Sequence, residues 1–84
     1  MNKVEVTRKA AKQLRKLQPS DRKLIIAESY KLAAMPNCQN VKALTKHKYP
    51  YRLRVGNFRI FFKYESVIKI VTIEEVKKRD DNTY

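Results

Sequence analysis

The chain has 84 residues, which is enough for one domain but not for two. It carries 20 lysines and arginines against 8 aspartates and glutamates, and the resulting net charge of +12 is typical of proteins that bind phosphate groups. An apolar content of 43% argues against disorder, and the lack of a long apolar run or an apolar N-terminal stretch predicts a cytoplasmic protein with no membrane contact. A single cysteine, Cys38, excludes an internal disulfide, and with one histidine it leaves no Cys/His metal set, so no cofactor is expected.

The first third of the chain predicts a strand and two helices. Residues 3–6 alternate like a short strand, and Thr7 can cap a helix that runs through Leu17, because apolar residues recur at helical spacing. Pro19 breaks this helix, and a second one is expected from about Ser20 to Ala34, where Pro36 ends it. Its predicted apolar surface is formed by Leu24, Ile25, Ala27, Leu32 and Ala34. The two helices should form a hairpin.

A polar, basic connection from Val41 to Tyr49, with a brief strand at its start, leads to the stretch YRLRVGNFRIFF. Its Gly56-Asn57 pair fits a two-residue hairpin loop, because glycine tolerates the positive φ that such turns need. This turn places Val55 opposite Phe58. One face of the hairpin then carries Tyr51, Leu53, Val55, Phe58, Ile60 and Phe62, and the other carries Arg52, Arg54, Arg59 and Phe61.

The last predicted strand runs from Val67 to Val76 after a turn at Glu65-Ser66. With a two-residue turn, Ile60 would face Val71 and Arg59 would face Thr72. Both helices must cover the apolar face of this meander, since their own apolar stripes need burial. The arginine face should therefore be left open as a concave basic surface.

The arginine face is the strongest functional feature of the sequence. Arg54 directly opposite Arg59 destabilises a sheet by roughly 0.2 to 1 kcal/mol, so an anion is expected to relieve the pair. Lys77, Lys78 and Arg79 follow the last strand and can reach this face, with Tyr84 over it. Cations for phosphates and aromatic rings for bases suit single-stranded nucleic acid. RNA-binding residues are therefore predicted at Arg52, Phe61, Lys77 and Arg79. For residues 77–79 alone, a solvated charge run is an equally good interpretation.

The stretches YRLRVGNFRIFF and VTIEEVKKRDDNTY, placed after a two-helix hairpin, resemble the RelE/ParE toxin superfamily, in particular its RelE-like mRNA interferase branch. The resemblance covers nearly all of residues 1–84 and implies one α+β domain: an N-terminal strand, a helical hairpin and an antiparallel meander with the helices on one face. It also implies a type II toxin that cleaves mRNA in the ribosomal A site and is silenced by an acidic antitoxin.

Carried over from the family, the two basic residues of the first meander strand match Arg52 and Arg54, and the phosphate-holding arginine matches Arg59. The C-terminal basic residue matches Lys78, or its neighbours Lys77 and Arg79, and the terminal tyrosine matches Tyr84. The resemblance implies that Arg59 stabilises the transition state, that Arg52 positions the RNA backbone and that Lys78 protonates the leaving oxygen. Tyr84 would stack on a base or orient the 2′-OH.

The general base stays open. RelE-like members often carry a lysine at the position of Arg54, and an arginine practically never releases its proton. The alternatives are Glu74, Glu75 and His47, of which only the histidine has an ordinary pKa suited to neutral acid–base work. A solvated loop histidine is the commoner situation for a residue such as His47.

The first helix carries a second basic set, Arg8, Lys12, Arg15 and Lys16, at helical spacing. It is either a solvated face or a contact for ribosomal RNA backbone.

Two other functions remain open from sequence: a ParE-like toxin that inhibits gyrase, and a nucleic-acid-binding module without catalysis. The basic residues of the hairpin and the tail, together with Tyr84, argue against the first of these.

Overall fold

The computed structural model describes residues 1–79. Strand β1 (Lys3–Val6) leads into helices α1 (Arg8–Arg15) and α2 (Pro19–Tyr30), and a short 3₁₀ turn (Lys31–Ala34) extends α2. Four further strands follow: β2 (Val41–Ala43), β3 (Tyr51–Val55), β4 (Phe58–Glu65) and β5 (Ile70–Lys78). No helix within these residues is long and apolar enough to cross a membrane.

The strands form one mixed sheet in the order β1-β5-β4-β3-β2. β1 pairs with β5 in parallel, while β2 to β5 form an antiparallel meander. The predicted α+β class, the N-terminal strand, the helical hairpin and the brief strand near Val41 are therefore confirmed. Thr7 caps α1 as predicted, since its side chain accepts a hydrogen bond from the backbone N–H of Ala10 at 3.1 Å.

The core lies between the sheet and the two helices. Its fully buried side chains come from the meander, from α1 and from the α2 segment, and include Phe62, Ile60, Val71, Ile73, Ala10, Ile25 and Leu32. The helices thus cover one face of the sheet, as predicted. The apolar surface predicted for α2 is only partly right, because Leu24 is 49% exposed while Ile25 and Leu32 carry the packing.

The β3–β4 hairpin has the predicted register, with Val55 opposite Phe58 and Arg54 opposite Arg59. Gly56 takes a φ of +54°, which is the backbone conformation that only glycine adopts without strain. The Gly-Asn turn therefore fixes which side chains of both strands share a face.

The predicted register of the last strand is wrong. β5 begins at Ile70, and residues 66–69 form a longer turn in which Val67 is 93% exposed. Ile60 consequently faces Val76, and Arg59 faces Lys77. A bulge shifts the register once more between Phe61 and Phe62. Glu-Ser supplies no residue suited to a tight primed turn, and the positive φ falls instead on Lys69.

Candidate nucleic-acid interface

Four arginines converge at the β3–β4 turn. Arg52, Arg54 and Arg59 lie on one face of the hairpin, and together with Arg79 and the turn they line a hollow of about 120 Å³. Arg79 is brought there by the backbone, since its N–H donates a hydrogen bond to the carbonyl of Asn57. We call these four residues the arginine cluster. The hollow is large enough for a small anionic group but too small for a large ligand.

The arginine cluster lacks an acidic partner among residues 1–79. The ion pairs found there join lysines to glutamates, and none of them involves an arginine. Arg54, Arg59 and Arg79 are exposed and Arg52 is half-buried. Guanidinium groups bind phosphate bidentately and keep their charge, so this arrangement is suited to a phosphate.

The three tail cations do not share one position. Lys77 lies opposite Arg59 on the arginine side of the sheet, whereas Lys78 lies opposite Phe58, which belongs to the core side. Arg79 joins the arginine cluster directly. The shifted register of β5 therefore places Lys77 on the side of the predicted site and Lys78 on the opposite side, while Arg79 lines the hollow. Tyr84 lies outside the described residues.

Phe61 is on the arginine side but is not available to RNA bases, so that expectation is wrong. Its ring is covered by His47, stacked at 5.0 Å between ring centroids, and by Tyr49 at 5.6 Å, which leaves Phe61 only 7% exposed. Both covering residues come from the connection between β2 and β3. The basic surface is therefore partly covered, and not fully open as predicted.

Glu75 is the buried centre of a polar network. It accepts a hydrogen bond from the Tyr49 hydroxyl at 2.9 Å and from Lys9 Nζ at 3.1 Å, and Lys77 lies 3.5 Å away. Burial alone would raise the pKa of Glu75, but the hydrogen bonds from Tyr49 and Lys9, with the charge of Lys77, outweigh it and lower the pKa. A shielded carboxylate of low pKa is a poor proton acceptor.

The other two candidate bases are also engaged. Glu74 pairs with Lys63 at 3.3 Å. His47 Nδ1 accepts a hydrogen bond from the backbone N–H of Tyr49 at 3.0 Å, which places the ring proton of the neutral imidazole on Nε2. The lone pair of Nδ1 is therefore engaged in this hydrogen bond. Each of the three candidates therefore already has a partner in this geometry.

Sequence patterns gave no sign that Tyr49 links this site together. The residue sits in a basic connection, 26 positions before Glu75, and neither periodicity nor a turn motif relates the two. Within residues 1–79, no group of three or more His, Cys, Asp or Glu side chains is placed to hold a metal ion.

Glu75 should make the stability of the protein depend on acid pH. Its pKa is lower in the folded state, so its contribution is complete above the unfolded pKa of about 4.3 and is lost as the pH falls through the folded pKa. Glu75→Gln keeps an acceptor for Tyr49 but cannot ionise. In urea unfolding followed through the acid range, the parent should lose more free energy of unfolding than Glu75→Gln. Parallel pH profiles would contradict this role of Glu75.

No protein-family model and no curated protein matches the chain. Solved structures do. The archaeal RelE–RelB complex from Pyrococcus horikoshii has a chain that matches with a TM-score of 0.80 and 20% identity over 95% of this chain and 97% of that one. The isolated RelE toxin of E. coli matches with a TM-score of 0.80 and 16% identity, over 99% and 89% of the two chains. A chain of the RelBE2 toxin–antitoxin complex of Mycobacterium tuberculosis matches with a TM-score of 0.80 and 22% identity, over 93% of this chain and 98% of that one.

Proposed function

Because the chain has the RelE-like toxin fold and gathers four arginines without an acidic partner among residues 1–79, we propose that it is the toxin of a type II toxin–antitoxin pair. We propose further that it is an endoribonuclease that cuts mRNA in the ribosomal A site and so inhibits translation. The observation that carries the proposal is the arginine cluster. It offers phosphate-binding groups at the position where the sequence resembles the family's RNA-cleaving site.

The reaction needs no metal in this proposal. The 2′-oxygen of a ribose attacks the adjacent phosphorus, the bond from phosphorus to the 5′-oxygen breaks, and one proton leaves the 2′-OH while another reaches the leaving oxygen. The phosphate gains negative charge on the way. Arg59 is exposed, lines the hollow and lies opposite Arg54, so it can bind that phosphate where the charge develops.

The remaining cations take supporting roles. Arg52 and Arg54 hold the RNA backbone, and Arg79 closes the hollow from the tail side. Lys77, opposite Arg59, replaces Lys78 as the proposed donor to the leaving oxygen. Glu74, Glu75 and His47 each already have a partner. We therefore propose that the ribosome contributes by holding the 2′-OH in line with the bond that breaks.

An antitoxin is the proposed partner, because matched structures include toxin–antitoxin complexes, and the charge of this chain favours an acidic one. The chain's charge of +12 favours fast, salt-sensitive association with an acidic protein. A groove of about 290 Å³ between α1, α2 and the sheet also exposes Val6, Ile26 and Tyr30, with Arg15 and Arg22 beside them. An amphipathic helix with acidic flanks fits such a groove.

Expression in bacterial cells tests the proposed toxin role. Production of the protein alone should stop growth, with incorporation of labelled amino acids falling before plasmid supercoiling changes. Co-expression with the neighbouring gene should restore growth and yield a stable complex. Loss of supercoiling ahead of translation would instead identify a gyrase inhibitor, and a protein harmless on its own would contradict both toxin functions.

The basic set on α1 should contribute to ribosome binding. Arg8, Lys12 and Lys16 line one exposed surface, joined by Lys9, whereas Arg15 lies beside the apolar groove. Contacts of lysine and arginine with RNA backbone are blind to sequence. The variant Lys12→Glu/Lys16→Glu should therefore bind ribosomes more weakly, with a shallower salt dependence, and still cut at the same positions.

A control for this variant is Lys3→Glu/Lys23→Glu, which makes the same change in net charge at other exposed positions. Equal ribosome affinity of the two double variants, measured by co-sedimentation at several salt concentrations, would show that the α1 surface is only a solvated face.

A further inference from the structure

The imidazole ring of His47 lies on the arginine side of the sheet, where another aromatic ring supports it. One of its faces stacks on Phe61, with ring centroids 5.0 Å apart and planes inclined by 13°. His47 is an exposed residue, and the ring of Tyr49 lies beside it, with ring centroids 6.1 Å apart and planes inclined by 42°. An exposed flat ring that another aromatic ring supports on one face is the kind of surface onto which a nucleobase stacks.

The His47 ring is held in position before any ligand binds. Nδ1 of His47 is fixed by the N–H of Tyr49, and Tyr49 itself is buried, with its hydroxyl bonded to Glu75. These contacts restrain both the ring and the loop that carries it. A ring with restrained orientation loses little conformational freedom on binding, which favours affinity.

The His47 ring also lies next to the arginine cluster. Phe61, which supports it, is directly opposite Arg52 across the β3–β4 pair. Arg59 is two residues before Phe61 on the same strand, about 7 Å away, and points to the same side of the sheet. A phosphate held by the arginines and a base stacked on His47 can therefore belong to the same short stretch of RNA.

We propose that His47 is a base-stacking platform for single-stranded RNA whose phosphates the arginine cluster holds. The proposal rests on the proposed function. It gives His47 the stacking role that the sequence suggested for Phe61, with Phe61 as its support. Because every base has a π face, the platform adds affinity with little sequence preference.

Two substitutions separate the ring from its hydrogen bond. His47→Asn places an acceptor oxygen near the position of Nδ1, so the bond from the N–H of Tyr49 can persist while the ring is gone. His47→Phe keeps a ring and removes the acceptor. The probes are a short single-stranded oligoribonucleotide and an oligomer of equal length that has the sugar–phosphate backbone but no bases.

His47→Asn should bind the RNA roughly tenfold more weakly than the parent, with no change for the oligomer without bases. His47→Phe should lie closer to the parent. Equal RNA affinity of parent and His47→Asn would overturn the platform, and so would equal losses in both variants or a matching loss on the oligomer without bases. Arg52→Ala should weaken both probes, so failure of the arginine cluster is distinguishable from failure of the platform.

Fluorescence gives a second readout. The chain has no tryptophan, so His47→Trp introduces a single one. Saturating RNA should quench its emission by stacking, and the oligomer without bases should not. Unchanged emission at saturation with RNA would contradict the proposal.

Discussion

Arg59→Ala should cleave A-site mRNA about 100-fold more slowly than the parent, or slower still. Arg59 lines the hollow formed by the arginine cluster, where it can bind the phosphate as negative charge develops. Removing one such donor typically costs a factor of about 10² to 10³ in rate. Ribosome affinity should change far less, because many of the 20 cations share that interaction.

The measurement is single-turnover cleavage alongside ribosome affinity, for the parent, Arg59→Ala and a control, Lys23→Ala. The control removes an exposed cation from α2, away from the arginine cluster. Equal losses of cleavage and affinity in Arg59→Ala would make Arg59 a binding residue only. Undiminished cleavage would remove it from the mechanism.

Phe62→Ala should destabilise the fold by roughly 3 to 5 kcal/mol. Phe62 has no exposed surface, stacks on Tyr51 at 5.4 Å and is the largest of the fully buried side chains among the described residues. Truncation leaves a cavity that the sheet and helices cannot close without moving. For a domain of this size the loss is a large fraction of the total stability.

Urea unfolding checks this prediction, with Val67→Ala as the control because Val67 is almost fully exposed in the turn before β5. The control should unfold at nearly the parent's midpoint. A similar midpoint for Phe62→Ala would mean that the packing between sheet and helices contributes little to stability.

The sequence predicts the β3–β4 hairpin well because the information is local. Gly56 and Asn57 define a turn, and the turn sets which residues pair and which face each one occupies. The convergence of Arg52, Arg54 and Arg59 follows from that register alone. The helical hairpin is equally accessible, since capping and apolar spacing mark its ends.

The last strand shows where local signals fail. Val67 and Ile68 have β-branched side chains typical of strands, yet both are exposed in a turn. β5 starts where the parallel partner β1 begins to pair, with Lys3 opposite Ile70, and this pairing joins distant parts of the chain. The resemblance matched the C-terminal basic residue to Lys78, or to Lys77 or Arg79. In the observed register Lys77 lies opposite Arg59 and Arg79 lines the hollow, whereas Lys78 lies opposite Phe58.

The covering of Phe61 could not be predicted for the same reason. His47 and Tyr49 reach Phe61 from a connection without regular structure, and the bond from Tyr49 to Glu75 that secures them spans 26 residues. Alternation along a strand gives the face of a side chain but not what lies above it.

Mapping of mRNA ends on programmed ribosomes tests the central claim most directly. Ribosomes stalled with a defined codon in the A site are incubated with the purified protein, and the new 5′ ends are located by primer extension. We predict cuts within the A-site codon, few cuts in the same mRNA without ribosomes, and loss of the A-site cuts with Arg59→Ala. Intact A-site mRNA with the parent protein, or equal cutting by Arg59→Ala, would contradict the account.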